Sequence, residues 1–208
     1  MELVYVLQPI NGHNCQEMIQ KEIFWKGLQH SSFEKCVVKT TGEKTEVTSS
    51  IWGIFREIVY RVGYEIRVNQ HWQTEYFNIQ SEVSRVEKKF TYESDGMGNW
   101  KVDGVPVDAF KACIDIDISL TPFTNSLPIN RLHLSRQQEK KINVIYIDIL
   151  EQRISAMAQK YTRVSDFEYK YENVPNDFEA ILTVDEFGLV VAYPGLFART
   201  NIDKPNIQ

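Results

Sequence analysis

The sequence predicts a mainly β chain. We expect one domain over residues 1–208, built as a single closed or rolled, strongly curved antiparallel sheet, either a spiral β-roll or a barrel-like form, with at most one or two short helices. Three observations predict this. Roughly ten or more segments alternate apolar and polar residues with period two, the spacing of a half-buried strand. Turn pairs such as Thr41-Gly42, Asp95-Gly96 and Asp103-Gly104 punctuate them. Aromatic residues reach 12% of the chain, with 11 Phe, 10 Tyr and 4 Trp, and these side chains favour pleated, half-buried surfaces. So many strands must close or stack to hide their edges, and a curved closed sheet leaves an interior that side chains fill or a ligand occupies.

In chain order, the run LVYVL near the start reads as a strand closed by Pro9 and Asn11-Gly12. Residues 14–25 place Met18, Ile19, Glu22 and Ile23 at helical spacing, with Asn14 and Glu17 as a capping pair. SFEKCVVK and TSSIWGIFREIVYRV read as two strands around Thr41-Gly42. In the next segments Tyr64, Ile66 and Val68 share a face, Trp72, Thr74 and Tyr76 share another, and Phe77 and Ile79 point oppositely. Val86, Phe90 and Tyr92 continue the pattern, and a short strand follows around Trp100 and Val102. FKACIDIDISL alternates best of all, with Ile114, Ile116 and Ile118 opposite Cys113, Asp115 and Asp117. The segment 121–132 leaves the sheet, because two prolines so close together do not fit a central strand. RLHLS reads as a brief strand and KINVIYIDIL as a central one, buried on both faces. EQRISAMAQ reads as one or two helical turns, then RVSDFEYKYE, FEAILTVD and GLVVAYP as strands, and residues 200–208 as a loose tail.

Composition narrows the function classes. A net charge of −5 offers no global attraction to nucleic acid, and acidic residues are interleaved with the aromatic ones. No apolar run has the length of a membrane span, and the N-terminus lacks the basic and apolar regions of a signal peptide, so we expect a cytoplasmic protein with no integral membrane segment. Cys15, Cys36 and Cys113 are odd in number and widely spaced, unlike a disulfide framework or a zinc site. No phosphate-binding glycine loop, serine nucleophile elbow or histidine metal motif is present, and no cofactor is called for.

Three groups of residues could carry chemistry. Asp115 and Asp117 project from one strand face, where they could hold a divalent ion, act as acid or base, form a plain hydrated face, or make salt bridges to nearby basic groups. Asp148 sits in a very apolar strand and needs a partner, for which Arg131 is a candidate by character. The segment 121–131 combines Thr124, Asn125 and Arg131, groups that could hold a sugar or phosphate head or satisfy their own backbone. Trp72, Tyr76, Tyr146 and Tyr193 are amphipathic aromatics that could form a cavity wall with polar tips toward a head group.

The stretches FKACIDIDISLTPFTNSLPINRLHL, KINVIYIDIL, FEAILTVDEFGLVVAYPGLFAR and VGYEIRVNQHWQTEYFNIQ resemble the bacterial putative glycolipid-binding family, long catalogued as a domain of unknown function. Together they cover roughly residues 50–199, and the opening 50 residues match poorly. The resemblance implies a rolled or barrel-like β fold with a central cavity. It also implies a glycolipid or similar amphiphile as partner, and a distant likeness to the carriers that move lipoproteins across the bacterial envelope. Two positions depart from the family: Glu75 stands where Arg is common, and Asn130 where a second basic residue is common, which leaves Arg131 as the main charge for an anionic head.

The leading reading is therefore a binder of an apolar or amphipathic small molecule in an internal cavity that opens near Asn125 and Arg131. An enzyme on a small or lipid-like substrate would instead use Asp115, Asp117, Asp148 or His133, converging in one cleft. A structural or partner-binding domain would have a filled core and an exposed apolar patch. No coiled-coil seam or other assembly signal assigns an oligomeric state.

Overall fold

A computed structural model describes residues 3–7 and 18–200 of the chain. The described residues form strands β1 (Leu3–Leu7), β2 (Met18–Gly27), β3 (Ser32–Thr40), β4 (Lys44–Phe55), β5 (Ile58–Asn69), β6 (Thr74–Val83), β7 (Val86–Ser94), β8 (Trp100–Val102), β9 (Val105–Pro106) and β10 (Asp115–Ile118). The helix α1 (Ser126–Leu132) follows, then β11 (Glu139–Asp148), β12 (Arg153–Arg163), β13 (Glu168–Val174), β14 (Glu179–Val184), β15 (Val190–Tyr193) and β16 (Phe197–Arg199). Short 3-10 turns at Asp108–Phe110 and Phe123–Asn125 complete the pattern.

The strands belong to one sheet ordered β10-β11-β12-β13-β14-β15-β16-β2-β3-β4-β5-β6-β7-β8-β9, with β1 paired beside β2. The expected closed or rolled, strongly curved sheet is not what forms: the ladder is open, and its ends, β10 and β9, do not pair. The physical reason lies in how the ends are finished. β9 is two residues long and includes Pro106, which has no N–H to donate. β10 is four residues long, and its Ile118 N–H is taken by the Thr124 hydroxyl rather than by another strand. Short, side-chain-satisfied ends need no closure. All pairs are antiparallel except β10 with β11, which run parallel.

Several local expectations need correction. The helix expected over residues 14–25 is the strand β2 where it is described; Pro9, Asn11-Gly12, Asn14, Cys15 and Glu17 lie outside the described residues, as do 201–208. Three neighbours, β1, β3 and β16, offer β2 ladder partners, and these override a weak helical pattern. The helical turns expected over 151–159 are the start of β12, paired along its whole length with β11. TSSIWGIFREIVYRV is two strands, not one, because Arg56 and Glu57 turn the chain with φ of 47° and 69°. FKACIDIDISL keeps only Asp115–Ile118 as strand, and RLHLS is the end of α1 and its exit. Most remaining alternations fall on strands, with Tyr64, Ile66, Val68, Phe77 and Ile79 buried as their spacing requires, but Trp72 sits in the turn before β6 and Phe167 is exposed ahead of β13.

Two apolar clusters form the core. One gathers inward residues of β2 to β7 with Ile116, Ile118, Phe123, Leu127, Ile145 and Ile147. The other gathers Ile129, Leu134, Tyr161, Tyr169, Tyr171, Leu182 and Tyr193. The segment around α1 joins them, with Phe123 and Leu127 in the first and Ile129 and Leu134 in the second.

Candidate functional site

One face of the β10–β16 half of the sheet carries the candidate site. Asp117 stands opposite Tyr146 in the parallel pair. On the adjoining strand Met157 and Gln159 follow Ser155, which is opposite Tyr146. Gln159 is opposite Asn173, Tyr161 is opposite Tyr171, and Tyr193 is opposite Phe197. Because side chains alternate with period two, these registers aim Asp117, Tyr146, Gln159, Tyr171 and Asn173 to one side. They wall an open pocket of about 510 Å³, completed by Leu120, Asn125, Asp148 and Leu150, and by His30 and Phe55 from the other half of the sheet.

The polar wall is ordered by its own hydrogen bonds. The Thr124 hydroxyl donates to Asp117 Oδ1 at 3.1 Å, and the Gln159 amide donates to Oδ2 at 2.6 Å. Burial raises the Asp117 carboxyl above its usual range, against those two donors. Tyr161 donates to Asn125 Oδ1 at 2.9 Å, which fixes the amide at the pocket edge. Burial pushes the Tyr146 phenol up to about 12, with the charges of Asp117 and Asp148 adding to it. It moves the Tyr171 and Tyr193 phenols upward as well, so all three rings stay neutral. Tyr171, Phe178 and Tyr193 form a triangle with ring centroids 6.1 to 6.2 Å apart, within the spacing of favourable ring pairs. Burial lowers the His30 imidazole, with Asp148 opposing it.

Of the residues singled out in the sequence, Asp117, Asn125, Tyr146 and Tyr193 meet at this pocket, with Asp148 beside them. The others go elsewhere. Asp115 is 0% exposed and takes a two-pronged ion pair from Arg131, with Nε at 3.0 Å and Nη2 at 2.6 Å, so neither residue reaches the wall. The pairing expected for Arg131 with Asp148 is therefore made with Asp115, because α1, which carries Arg131, packs against β10. Asp148 instead accepts the Glu151 N–H at 3.1 Å, in its own turn. Of the two plain alternatives for this face, Asp115 takes the salt bridge, while Asp117 is held by Thr124 and Gln159 at the pocket wall. Thr124 supports Asp117 rather than lining the pocket. Trp72 lines a separate hollow of about 260 Å³ with Val38 and Leu189, and Tyr76 lies outside under the Arg67 guanidinium at 4.3 Å. His133 is an exposed left-handed residue at the end of α1, and it lines a different hollow with Arg163 and Asp166.

Sequence reasoning missed Gln159 and Asn173. The first was hidden by the helical reading of its segment, and the second lies at the end of an alternation that stopped at Tyr171. It also missed Glu34, which shares the inward face of β3 with Cys36. Its Oε1 accepts hydroxyls from Ser49 at 2.7 Å, Tyr64 at 2.7 Å and Thr121 at 2.9 Å, and burial raises it to about 7. Through Thr121, this network ties the pocket wall to β3, β4 and β5. Cys36 and Cys113 are free and buried. Among the described residues, no group of three or more His, Cys, Asp or Glu is placed to hold a metal ion, and no helix is long and apolar enough to cross a membrane.

Comparison with known proteins agrees with this architecture. The crystal structure at 1.80 Å of a DUF1089 family protein from Pseudomonas aeruginosa is similar with a TM-score of 0.72 and 34% sequence identity. The likeness covers 80% of this chain and 92% of that one. No curated protein matches the chain. A model of the family described as "Putative glycolipid-binding" matches residues 22–199, most of the described sheet. On that match the chain belongs to the putative glycolipid-binding family.

Proposed function

We propose that this protein binds an amphipathic small molecule, of the glycolipid class that its family's description suggests, in the open pocket beside Asp117. One observation carries the reading: hydrogen-bonding groups of Asp117, Asn125 and Asn173 share a wall with Leu120, Phe178 and Leu196. A ligand with one polar and one apolar end fits such a lining better than a purely apolar or purely charged one. The volume of about 510 Å³ falls among ordinary small-molecule sites, which span about 300–1,000 Å³. Burying about ten methylenes would contribute about 0.8 kcal/mol each before ordering costs. A likeness to envelope lipoprotein carriers rests on the family resemblance and remains part of this proposal.

The enzyme reading has one observation in its favour, since Asp117 and Asp148 line the same pocket. Both are engaged, Asp117 by Thr124 and Gln159 and Asp148 by the Glu151 N–H, while Asp115 is neutralised by Arg131. Native mass spectrometry of the purified protein, with mass analysis of whatever is released, separates the readings. A bound amphiphile lost in Tyr193→Ala supports binding. A clean mass, together with no heat of binding for dodecyl maltoside, dodecyltrimethylammonium or laurate, would end it.

A further inference from the structure

The pocket wall has a consistent charge. Its ionisable lining consists of Asp117, Asp148, Glu151 and His30, apart from the tyrosines, and it includes no Lys or Arg. Two kinds of group give it electronegative character. Asp117 and Asp148 bring carboxylates from neighbouring strands. Six aromatic rings line it as well, Tyr171, Phe178 and Tyr193 packed on one another together with Phe55, Tyr146 and Phe197, and the face of such a ring carries partial negative charge. Two arginines contact lining residues and are engaged there: Arg153 reaches Glu151 at 3.7 Å from an exposed position, and Arg56 stacks on the Phe55 ring at 5.0 Å. Arg131, the basic residue the sequence offered for a head group, is bound to Asp115.

We infer that the preferred ligand of this pocket carries a positive charge on its head group, an amine or quaternary ammonium, on an apolar tail. An anionic head would meet two carboxylates and aromatic rings, with no cation among the lining residues to receive it. A neutral sugar would use the hydrogen-bonding groups and leave the electronegative surface unanswered. A soft cation over ring faces beside a carboxylate gains from both. His30 does not cancel this, because burial favours its neutral imidazole, and at Asp117 the Gln159 and Thr124 donors oppose the burial that favours the neutral acid.

The inference rests on the pocket being a binding site, and the test separates the two ideas. Titration calorimetry would compare dodecyltrimethylammonium, dodecyl maltoside and laurate, each below its critical micelle concentration, on the full chain. The expected result is roughly tenfold or more tighter binding of the ammonium than of the maltoside, and none of laurate. Asp117→Asn and Asp148→Asn should each shrink that ratio. Asp103→Asn, in the exposed β8–β9 turn, removes the same charge away from the pocket and should leave it unchanged. Equal or tighter binding of the maltoside, any preference for laurate, or an equal response to Asp103→Asn would overturn the inference while leaving the site itself standing. Failure of all three probes would overturn the binding site as well.

Discussion

Asp115 shows what a single buried residue can demand. Its carboxylate is fully enclosed, so its charge is tolerable only because Arg131 meets it with two N–H groups. Removing one partner leaves the other charged and unpaired. We therefore expect Arg131→Ala to cost about 3–5 kcal/mol in urea unfolding, and Asp115→Asn to cost less, since the amide can still accept one bond. Glu34 makes a different prediction. Its folded pKa of about 7 lies above the usual 4.5, so the folded state holds the proton more tightly than the unfolded chain. The stability it contributes is fully present below about pH 4.5 and is lost as pH rises through about 7, a change on the order of 3 kcal/mol. Urea midpoints at pH 5 and pH 8 should differ in this direction, and the difference should shrink in Glu34→Gln. An unchanged slope in the variant would assign the pH dependence to another group.

At the scale of the element, the strands are set by alternation, but their ends are set by turns. The Arg56-Glu57 turn has two non-glycine residues with positive φ where such hairpins favour Asn-Gly. Glu57→Gly should relieve this and raise stability by about 0.5–1 kcal/mol, read as a shift in the thermal midpoint. Gly53 answers a different need. A side chain there would run into the Tyr60 ring, which crosses β4 to donate to the His30 carbonyl at 3.1 Å beside the pocket. Gly53→Val should displace Tyr60 and loosen the His30 end of the pocket, seen as a loss of ligand affinity larger than the loss of stability. Elements with many tertiary partners are also where local reading failed. β2 and the start of β12 carry plausible helical spacing, yet both lie inside ladders that satisfy every turn of their backbone.

The whole molecule depends on the short segment around α1. Phe123 and Leu127 complete the core of β2 to β7, while Ile129 and Leu134 complete that of β12 to β16. The two halves of the open sheet therefore share one insert. Phe123 is 0% exposed, and Phe123→Ala should cost about 3–5 kcal/mol. A single urea transition with unchanged slope would show the halves unfolding together. Two separated transitions would show that the insert does not couple them.

Much of this was legible in the chain itself. Period-two alternation identified most strands because the pleat ties side-chain direction to sequence spacing, and Asp117, Asn125, Tyr146 and Tyr193 stood out through residue type and position. What only the tertiary structure decided were matters of distance between remote segments. It decided that the sheet stays open, because nothing local says whether an edge will meet a strand or a threonine hydroxyl. It decided that Asp115 takes Arg131, because the pairing depends on a helix folding back over β10. It brought Gln159, Asn173 and Tyr171 to Asp117, because strand register is set by packing across the whole sheet and not by any one strand's sequence.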